Sequence, residues 1–335
     1  MAKILPVFLP FASCGNKCIF CDQQAISGVK SENNLIILAE NQIKTWLSYG
    51  TSYDEIAFYG GNFAAIKSFE RQKLYRLAYD NGFSKIRFST RPDTINNETL
   101  AEIKDYNISL VELGIQSLDD KVLKANGRPY TNIQAEKAVD DILNITECGV
   151  QLMAGMYKQS LYSCIDDAAL LAKKNIKTAR IYPTQVFKNT ALYGMYLSGE
   201  YKAADLADMI LAAGGMYAHF TAENVQVIRM GLPVNAAENS QIAAGAYHKS
   251  FGDIVKTFIM LLYMDMGGHV RYSGFKKTGR KLFSRNYELY SDIKESDFKD
   301  ICIEVRRNYL ENSKRFIKGQ AASFACKLKS ETNNR

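Results

Sequence analysis

The run Ile4-Leu5-Pro6-Val7-Phe8-Leu9-Pro10-Phe11-Ala12-Ser13-Cys14-Gly15-Asn16-Lys17-Cys18-Ile19-Phe20-Cys21-Asp22 sets an apolar stretch directly against three cysteines at C-x3-C-x2-C spacing. Residues 4–9 predict a buried first strand, and the loop after it carries the cysteines. Gly15 and Asn16 let that loop wrap tightly enough for every sulfur to point inward. Three thiolates so placed can hold three irons of a four-iron cube and leave the fourth iron open, free to chelate the amino and carboxylate groups of a small molecule. Two other readings stand beside this one. A structural zinc site needs four ligands, and the three histidines, His219, His248 and His269, all lie far along the chain. Three cysteines could also meet in a loop by chance.

Working outward from the loop, short β-rich runs alternate with helical patterns as far as about residue 220. Strands are predicted at 4–9, 55–59, 85–89, 109–115, 150–155 and 178–183, with helices near 35–48, 67–81, 97–105, 132–148, 165–174 and 201–219. A loop rich in Gly, Asn, Pro or Ser follows each strand, so these loops gather at the C-terminal edge of a parallel sheet, where a site is expected. The fold class expected is α/β, a partial (β/α)6 TIM-like open barrel with a small basic α+β C-terminal region. Six units do not close an eight-stranded barrel, and residues 225–231 are candidates to fill the gap. The barrel is expected over 1–235 and a C-terminal extension over 236–335, with a helix near 252–263, β-like pieces near 268–282 and a basic helix near 298–318.

Composition narrows the class. At 335 residues, 47% hydrophobic and 23% charged, the chain reads as an ordinary globular protein. The longest strongly apolar run, residues 258–263, is far short of the ~20 residues of a membrane helix, so no membrane partner is expected. The apolar N-terminus reads as a strand and not as a signal peptide. Seven cysteines make an odd number for a disulfide framework, which favours the reducing cytoplasm. Cys148, Cys164, Cys302 and Cys326 are scattered and read as small buried apolar residues. Of the net charge of +7, the surplus lies in residues 271–335, with 16 Lys and Arg against 8 Asp and Glu. Such a segment can meet an anionic partner such as RNA, or simply form a solvated surface.

The three-cysteine loop, with Phe20 just before its last cysteine, resembles the radical S-adenosylmethionine superfamily. The resemblance implies that Cys14, Cys18 and Cys21 carry a [4Fe–4S] cluster, and that the cluster passes one electron to the sulfonium of S-adenosylmethionine. The carbon–sulfur bond then breaks, and a 5′-deoxyadenosyl radical abstracts hydrogen from a substrate. Phe20 would lie against the adenine. Tyr59-Gly60-Gly61-Asn62-Phe63 resembles the family's glycine motif for the methionyl amino group, although two glycines after a strand are also an ordinary turn.

Further motifs continue the likeness. Ser89-Thr90-Arg91-Pro92-Asp93, Gly114-Ile115-Gln116-Ser117 and Arg128 resemble the branch that contains oxygen-independent coproporphyrinogen oxidase and the catalytic subunit of the Elongator complex. By that resemblance Ser89, Gln116 and Arg128 contact the ribose and carboxylate of the cofactor. Met153, in Leu152-Met153-Ala154-Gly155-Met156, would border the adenine or else simply fill core. Arg91 reads equally as a functional residue or as an ion-pair partner of Asp93. Strand alternation puts Glu112, Gly114 and Gln116 on one face, and likewise Arg180, Tyr182 and Thr184, so that Glu112, Arg180 and Tyr182 form the expected substrate wall.

Residues 227–232 and 243–248 resemble an extension found in uncharacterised bacterial members of the same branch. Acetyl transfer, which the Elongator subunit performs, is not implied. The expected activity is therefore a reductive radical reaction, with an RNA such as tRNA as the leading substrate and a small metabolite or peptide as the runner-up. An electron donor such as flavodoxin or ferredoxin would be needed. A non-catalytic iron–sulfur binding or sensor module is the reading from another class.

Overall fold

The computed structural model describes residues 3–232 apart from 16 and 31, together with residues 241–265, 299–306, 320–322 and 324–326. Its strands are β1 (Ile4–Leu9), β2 (Glu55–Gly60), β3 (Ile86–Thr90), β4 (Ile108–Gln116), β5 (Glu147–Ala154), β6 (Thr178–Pro183), β7 (Gln185–Phe187), β8 (Gln226–Met230) and β9 (Ile242–Gly245). Helices α1 (Gln23–Ser27), α2 (Leu35–Ser48), α3 (Ser68–Asp80), α4 (Asn97–Asp105) and α5 (Asp120–Ala125) fall in the first half. They are followed by α6 (Asn132–Leu143), α7 (Ser163–Ala172), α8 (Ala191–Leu197), α9 (Leu206–Ala222) and α10 (Phe251–Asp265). Seven strands join one sheet in the order β1-β2-β3-β4-β5-β6-β8, every pairing parallel, and the sheet curls into a half-barrel with helices around it.

Alternation along each strand divides the sheet into two chemistries. Val7, Phe58, Phe88, Val111, Val150 and Ile181 face outward and are fully buried in the main core. Each contributes about 1.5–3 kcal/mol by leaving water. The concave face carries instead Arg87, Glu112, Gln116, Gln151 and Arg180, side chains that an apolar core would not tolerate unpaired. Helix starts are fixed locally: Asn34 Oδ1 accepts from Ile36 and Ile37 amides at α2, Asp205 Oδ1 accepts from the Asp208 amide at α9, and Thr131 with Gln134 forms a capping box at α6.

The open parallel barrel expected from the sequence is present, and residues 225–231, expected at the gap, supply the seventh strand, β8, beyond the six foreseen. Three helix bounds need correction. The helix expected over 132–148 stops at Leu143, because Asn144 caps it and Glu147 already pairs with Leu110 in β5. The one expected over 201–219 begins only at Leu206, while Tyr201 sits in the preceding loop and donates its hydroxyl to the Gly155 carbonyl at 2.7 Å. The one expected over 165–174 spans Ser163–Ala172. Helices α1, α5 and α8 and the antiparallel ribbon β7–β9 were not foreseen.

In the C-terminal part, α10 covers the helix expected near 252–263, and its Phe251, Ile254, Val255 and Phe258 share the core of the barrel helices. Residues 299–306 are helical, and Arg306 pairs with Glu223 after α9. The β-like pieces expected near 268–282, and residue 298 and residues 307–318 of the basic helix, lie outside the described residues.

Candidate active site

The cysteine loop leaves β1 through two residues in left-handed backbone, Phe11 (φ +55°) and Ser13 (φ +51°), which reverse the chain within a turn. The Cys14 amide donates to the Phe11 carbonyl at 3.1 Å, and the Cys21 amide to the Cys18 carbonyl at 3.2 Å. The middle of the loop is held from outside, since the Ile19 amide donates to the Asn126 carbonyl at 3.3 Å and the Leu192 amide to the Ile19 carbonyl at 2.8 Å. Asp22 ends the loop by capping α1 through the Ala25 amide at 3.0 Å.

A glycine turn closes on this loop. Gly61 sits at φ +20°, and a Cβ there would lie 2.5 Å from the Ala12 carbonyl oxygen and 2.6 Å from its nitrogen, so only glycine fits. The two segments share one side chain: Gln23 Oε1 accepts from both the Phe11 and Gly61 amides, and its Nε2 lies 3.9 Å from Cys14 Sγ.

Cys14, Cys18, Cys21, Phe20, Gly60 and Gly61 line one cavity of about 770 Å³ on the concave face of the sheet. Ser89, Gln116, Arg128, Met153, Arg180 and Tyr182 line the same cavity. Asn62 and Glu112 are not part of its wall. The Asn62 carboxamide, 1% exposed, accepts from Thr90 Oγ1 at 2.6 Å, the Arg91 amide at 3.1 Å and Thr94 Oγ1 at 3.0 Å, and so ties β2 to the end of β3. Glu112 lies beneath Arg180, whose Nη2 donates to it at 2.8 Å and whose Nε completes a bidentate pair. Arg180 in turn stacks over the Tyr59 ring, with 5.0 Å from guanidinium carbon to centroid.

Arg91 forms the ion pair that was one of the two readings of it. It forms a bidentate pair with Asp93, Nε to Oδ1 at 2.9 Å and Nη2 to Oδ2 at 2.6 Å, yet it also lines the cavity and leaves Nη1 buried without a partner among the described residues. Arg128 is buried, and each of its guanidinium nitrogens donates once: Nη1 to Cys18 Sγ at 3.2 Å, Nε to Tyr130 Oη at 2.9 Å, and Nη2 to the Gly114 carbonyl. Gln23 escaped the sequence reading because its contacts span loops that only the fold brings together, and Tyr59 was quoted within the glycine motif without a role of its own.

The residues present fit the iron–sulfur cube. Burial, then the neighbouring Cys18 and Cys14, push the Cys21 thiol up to about 12, and burial raises Cys14 against the pull of Arg91. Three thiolates gathered at one wall are thus unfavourable by themselves and favourable around a cationic metal centre, which deprotonates coordinating thiols outright. Among the described residues no three His, Cys, Asp or Glu side chains could hold a single metal ion, and the spacing that suits one zinc is accordingly not found. The buried Gln116 Oε1, also without a partner among the described residues, lies on the same wall.

Comparison with known proteins agrees with this geometry. Residues 8–169 match the radical SAM superfamily, and residues 176–259 match the Radical_SAM C-terminal domain. The uncharacterized protein MJ0486 of Methanocaldococcus jannaschii is 28% identical over 200 residues, 56% of this chain and 62% of that protein. Elongator complex protein 3 of Homo sapiens is 21% identical over 245 residues, covering 58% of this chain and 44% of that protein. The chain therefore spans less than two thirds of the length of either. Elp3 of the archaeon Methanocaldococcus infernus, with residues 1–46 deleted, superposes with a TM-score of 0.60 at 17% identity over 81% of this chain and 65% of that one, a likeness of fold. No helix among the described residues is long and apolar enough to cross a membrane. A curled parallel sheet that brings three cysteines to the mouth of its concave face, and a family match that begins on the first strand, lead to one assignment: the chain belongs to the radical S-adenosylmethionine superfamily and uses a [4Fe–4S] cluster with S-adenosylmethionine.

Proposed function

We propose that the chain modifies an RNA base, with tRNA the first candidate, by hydrogen abstraction. The bound cofactors supply one electron and, by cleavage of the sulfonium carbon–sulfur bond, a 5′-deoxyadenosyl radical. The observation that carries the proposal is the cavity wall itself. Aromatic rings of Phe8, Tyr59, Tyr182 and Phe187 stand there beside guanidinium groups, the combination that stacks an unpaired base and neutralises its phosphates. A volume of about 770 Å³ is enough for a cofactor and a base together.

Within this reading Cys14, Cys18 and Cys21 hold the cluster. Phe20 and Met153 border the adenine, and Gly60 and Gly61, braced by Asn62, offer backbone groups to the methionyl amine. Ser89 and Gln116 face the ribose and carboxylate. Arg128, each of whose three nitrogens donates once within the protein, fixes the Cys18 sulfur and the Gly114 carbonyl. Arg180, aligned by Glu112, and Tyr182 form the substrate wall. The barrel of residues 1–235 carries this machinery, residues 236–335 form an extension, and a flavodoxin or ferredoxin of the cytoplasm delivers the electron.

The test is anaerobic reconstitution with iron and sulfide, followed by assay for 5′-deoxyadenosine under dithionite with and without bulk tRNA, and by tRNA binding across a salt series. Turnover stimulated by tRNA and affinity falling steeply with salt are expected. Binding that is absent or indifferent to salt removes the RNA reading, and replacement of any of the three cysteines by alanine without loss of iron removes the cluster reading.

A further inference from the structure

The cations of the cavity wall differ in one respect. Arg87 is paired with Glu55, Arg91 with Asp93, Arg180 with Glu112 and Lys177 with Glu147. Arg128 is consumed by Cys18, Tyr130 and Gly114, and Lys17 lies over the Phe11 ring. Arg229, on β8, is exposed and lines the same cavity, and its side chain has no hydrogen bond, ion pair or ring contact among the described residues.

Its position results from a defect in the sheet. Pairing of β6 with β8 runs Thr178 with Gln226 and Ala179 with Val227, then shifts, so that Arg180 stands opposite Arg229 and Ile228 is the extra residue. Plain alternation from Gln226, which faces the cavity, would send residue 229 to the outer, helix-covered face. The bulge turns it inward instead, a known use of bulges beside functional sites. Two guanidinium groups opposite one another on adjacent strands repel, and Glu112 already satisfies Arg180 in bidentate fashion. Arg229 is thus a positive charge unmatched among the described residues, turned by a bulge toward the concave face, on the last strand of the sheet.

We propose that Arg229 binds a phosphate of the substrate, as the anchor that registers a nucleotide against the cavity. Its fork matches two phosphate oxygens. This deepens the RNA reading and rests on it for the source of the phosphate; a free nucleotide offers the same chemistry, and the experiment separates the two.

Full-length protein reconstituted anaerobically is prepared as wild type, Arg229→Gln and Arg229→Lys. Bulk tRNA binding is measured across a potassium chloride series, and binding of uridine 5′-monophosphate is compared with uridine by equilibrium dialysis. Deprived of one phosphate partner, Arg229→Gln should bind tRNA roughly tenfold more weakly at low salt, with the slope of log affinity against log salt reduced by about 1, and Arg229→Lys should restore the slope. The wild type should prefer the monophosphate to the nucleoside, and Arg229→Gln should not. Iron content and S-adenosylmethionine affinity, read on the same samples, should match wild type and show that the fold is intact. If wild type binds no tRNA but its preference for the monophosphate disappears in Arg229→Gln, the phosphate site stands and the RNA reading falls. If tRNA binds with the same slope in wild type and Arg229→Gln, or if the monophosphate is never preferred, the assignment of Arg229 is overturned while the RNA reading survives on its own test.

Discussion

Arg128 Nη1 donates to Cys18 Sγ at 3.2 Å, joining residues 110 positions apart in the chain. The same guanidinium bonds the Gly114 carbonyl and the Tyr130 hydroxyl, so one side chain fixes a cysteine of the cluster loop to the end of β4. Replacing Arg128 with Met takes this donor from Cys18 Sγ while the Gly114 carbonyl keeps the Tyr130 hydroxyl at 2.9 Å, and a loss of about 1–3 kcal/mol is expected for the missing buried hydrogen bonds. Denaturant unfolding of the metal-free protein should show that loss, and iron retained per chain after reconstitution should fall with it. Unchanged stability together with full iron content would contradict the bracing role.

Gly61→Ala places a methyl group 2.5 Å from the Ala12 carbonyl oxygen, at a φ that disfavours alanine. Backbone strain of this kind costs of order 1–3 kcal/mol, and here relief requires the glycine turn and the cysteine loop to separate. Affinity for S-adenosylmethionine, measured by equilibrium dialysis on reconstituted protein, should fall at least tenfold. Gly82→Ala, at φ +85° with open space around it, serves as the control for strain without a clash.

The Glu112–Arg180 pair lies in the barrel interior, with side-chain exposures of 1% and 13%. Removing only the carboxylate, in Glu112→Leu, strands Arg180 and should cost about 3–5 kcal/mol. Adding Arg180→Met should recover most of that loss, since two apolar residues replace two charges. A double-mutant cycle by urea unfolding measures it, and simple additivity would show that the two side chains act independently.

His219, near the end of α9, is buried, and burial followed by the charges of Arg306 and Lys173 lowers its proton affinity from the ordinary 6.5 to about 4. The unfolded chain therefore binds more protons between those two values, and stability rises with pH across the window. As pH falls from 6.5 towards 4, this histidine should remove up to roughly 3 kcal/mol. His219→Leu should lose less stability than wild type between pH 7 and pH 4.5, as read by urea midpoints. Parallel curves for the two proteins would exclude His219 as the source.

Much of the frame was legible because strand and helix periods are local properties. The run 4–9 is a strand with those same bounds, and the pattern over 35–48 is α2. The failure at 132–148 is equally physical. Ile142, Leu143 and Ile145 continue a helical spacing, but Asn144 caps the helix, the Thr146 hydroxyl bonds the Ile108 carbonyl, and the following residues pair with β4. Only the tertiary partner decides where that helix ends. The ribbon of Gln185–Phe187 with Ile242–Gly245 was invisible because each strand is too short to show a period.

The site divides in the same way. Cysteine spacing and the two glycines announce themselves within a few residues of sequence, and alternation placed Arg180 and Tyr182 on one face, where both line the cavity. Asn62 and Glu112 sit behind that wall as supports, a distinction that depends on which neighbour claims the side chain. Arg229 lay inside a motif noted only for likeness, because the bulge that turns it inward exists only in the pairing of β6 with β8.

A single carboxamide oxygen, that of Gln23, receives the amides of both Phe11 and Gly61. The cysteine loop and the glycine turn consequently behave as one mechanical part, with no slack between them. A displacement of either segment is then transmitted to the other without any large motion of the barrel.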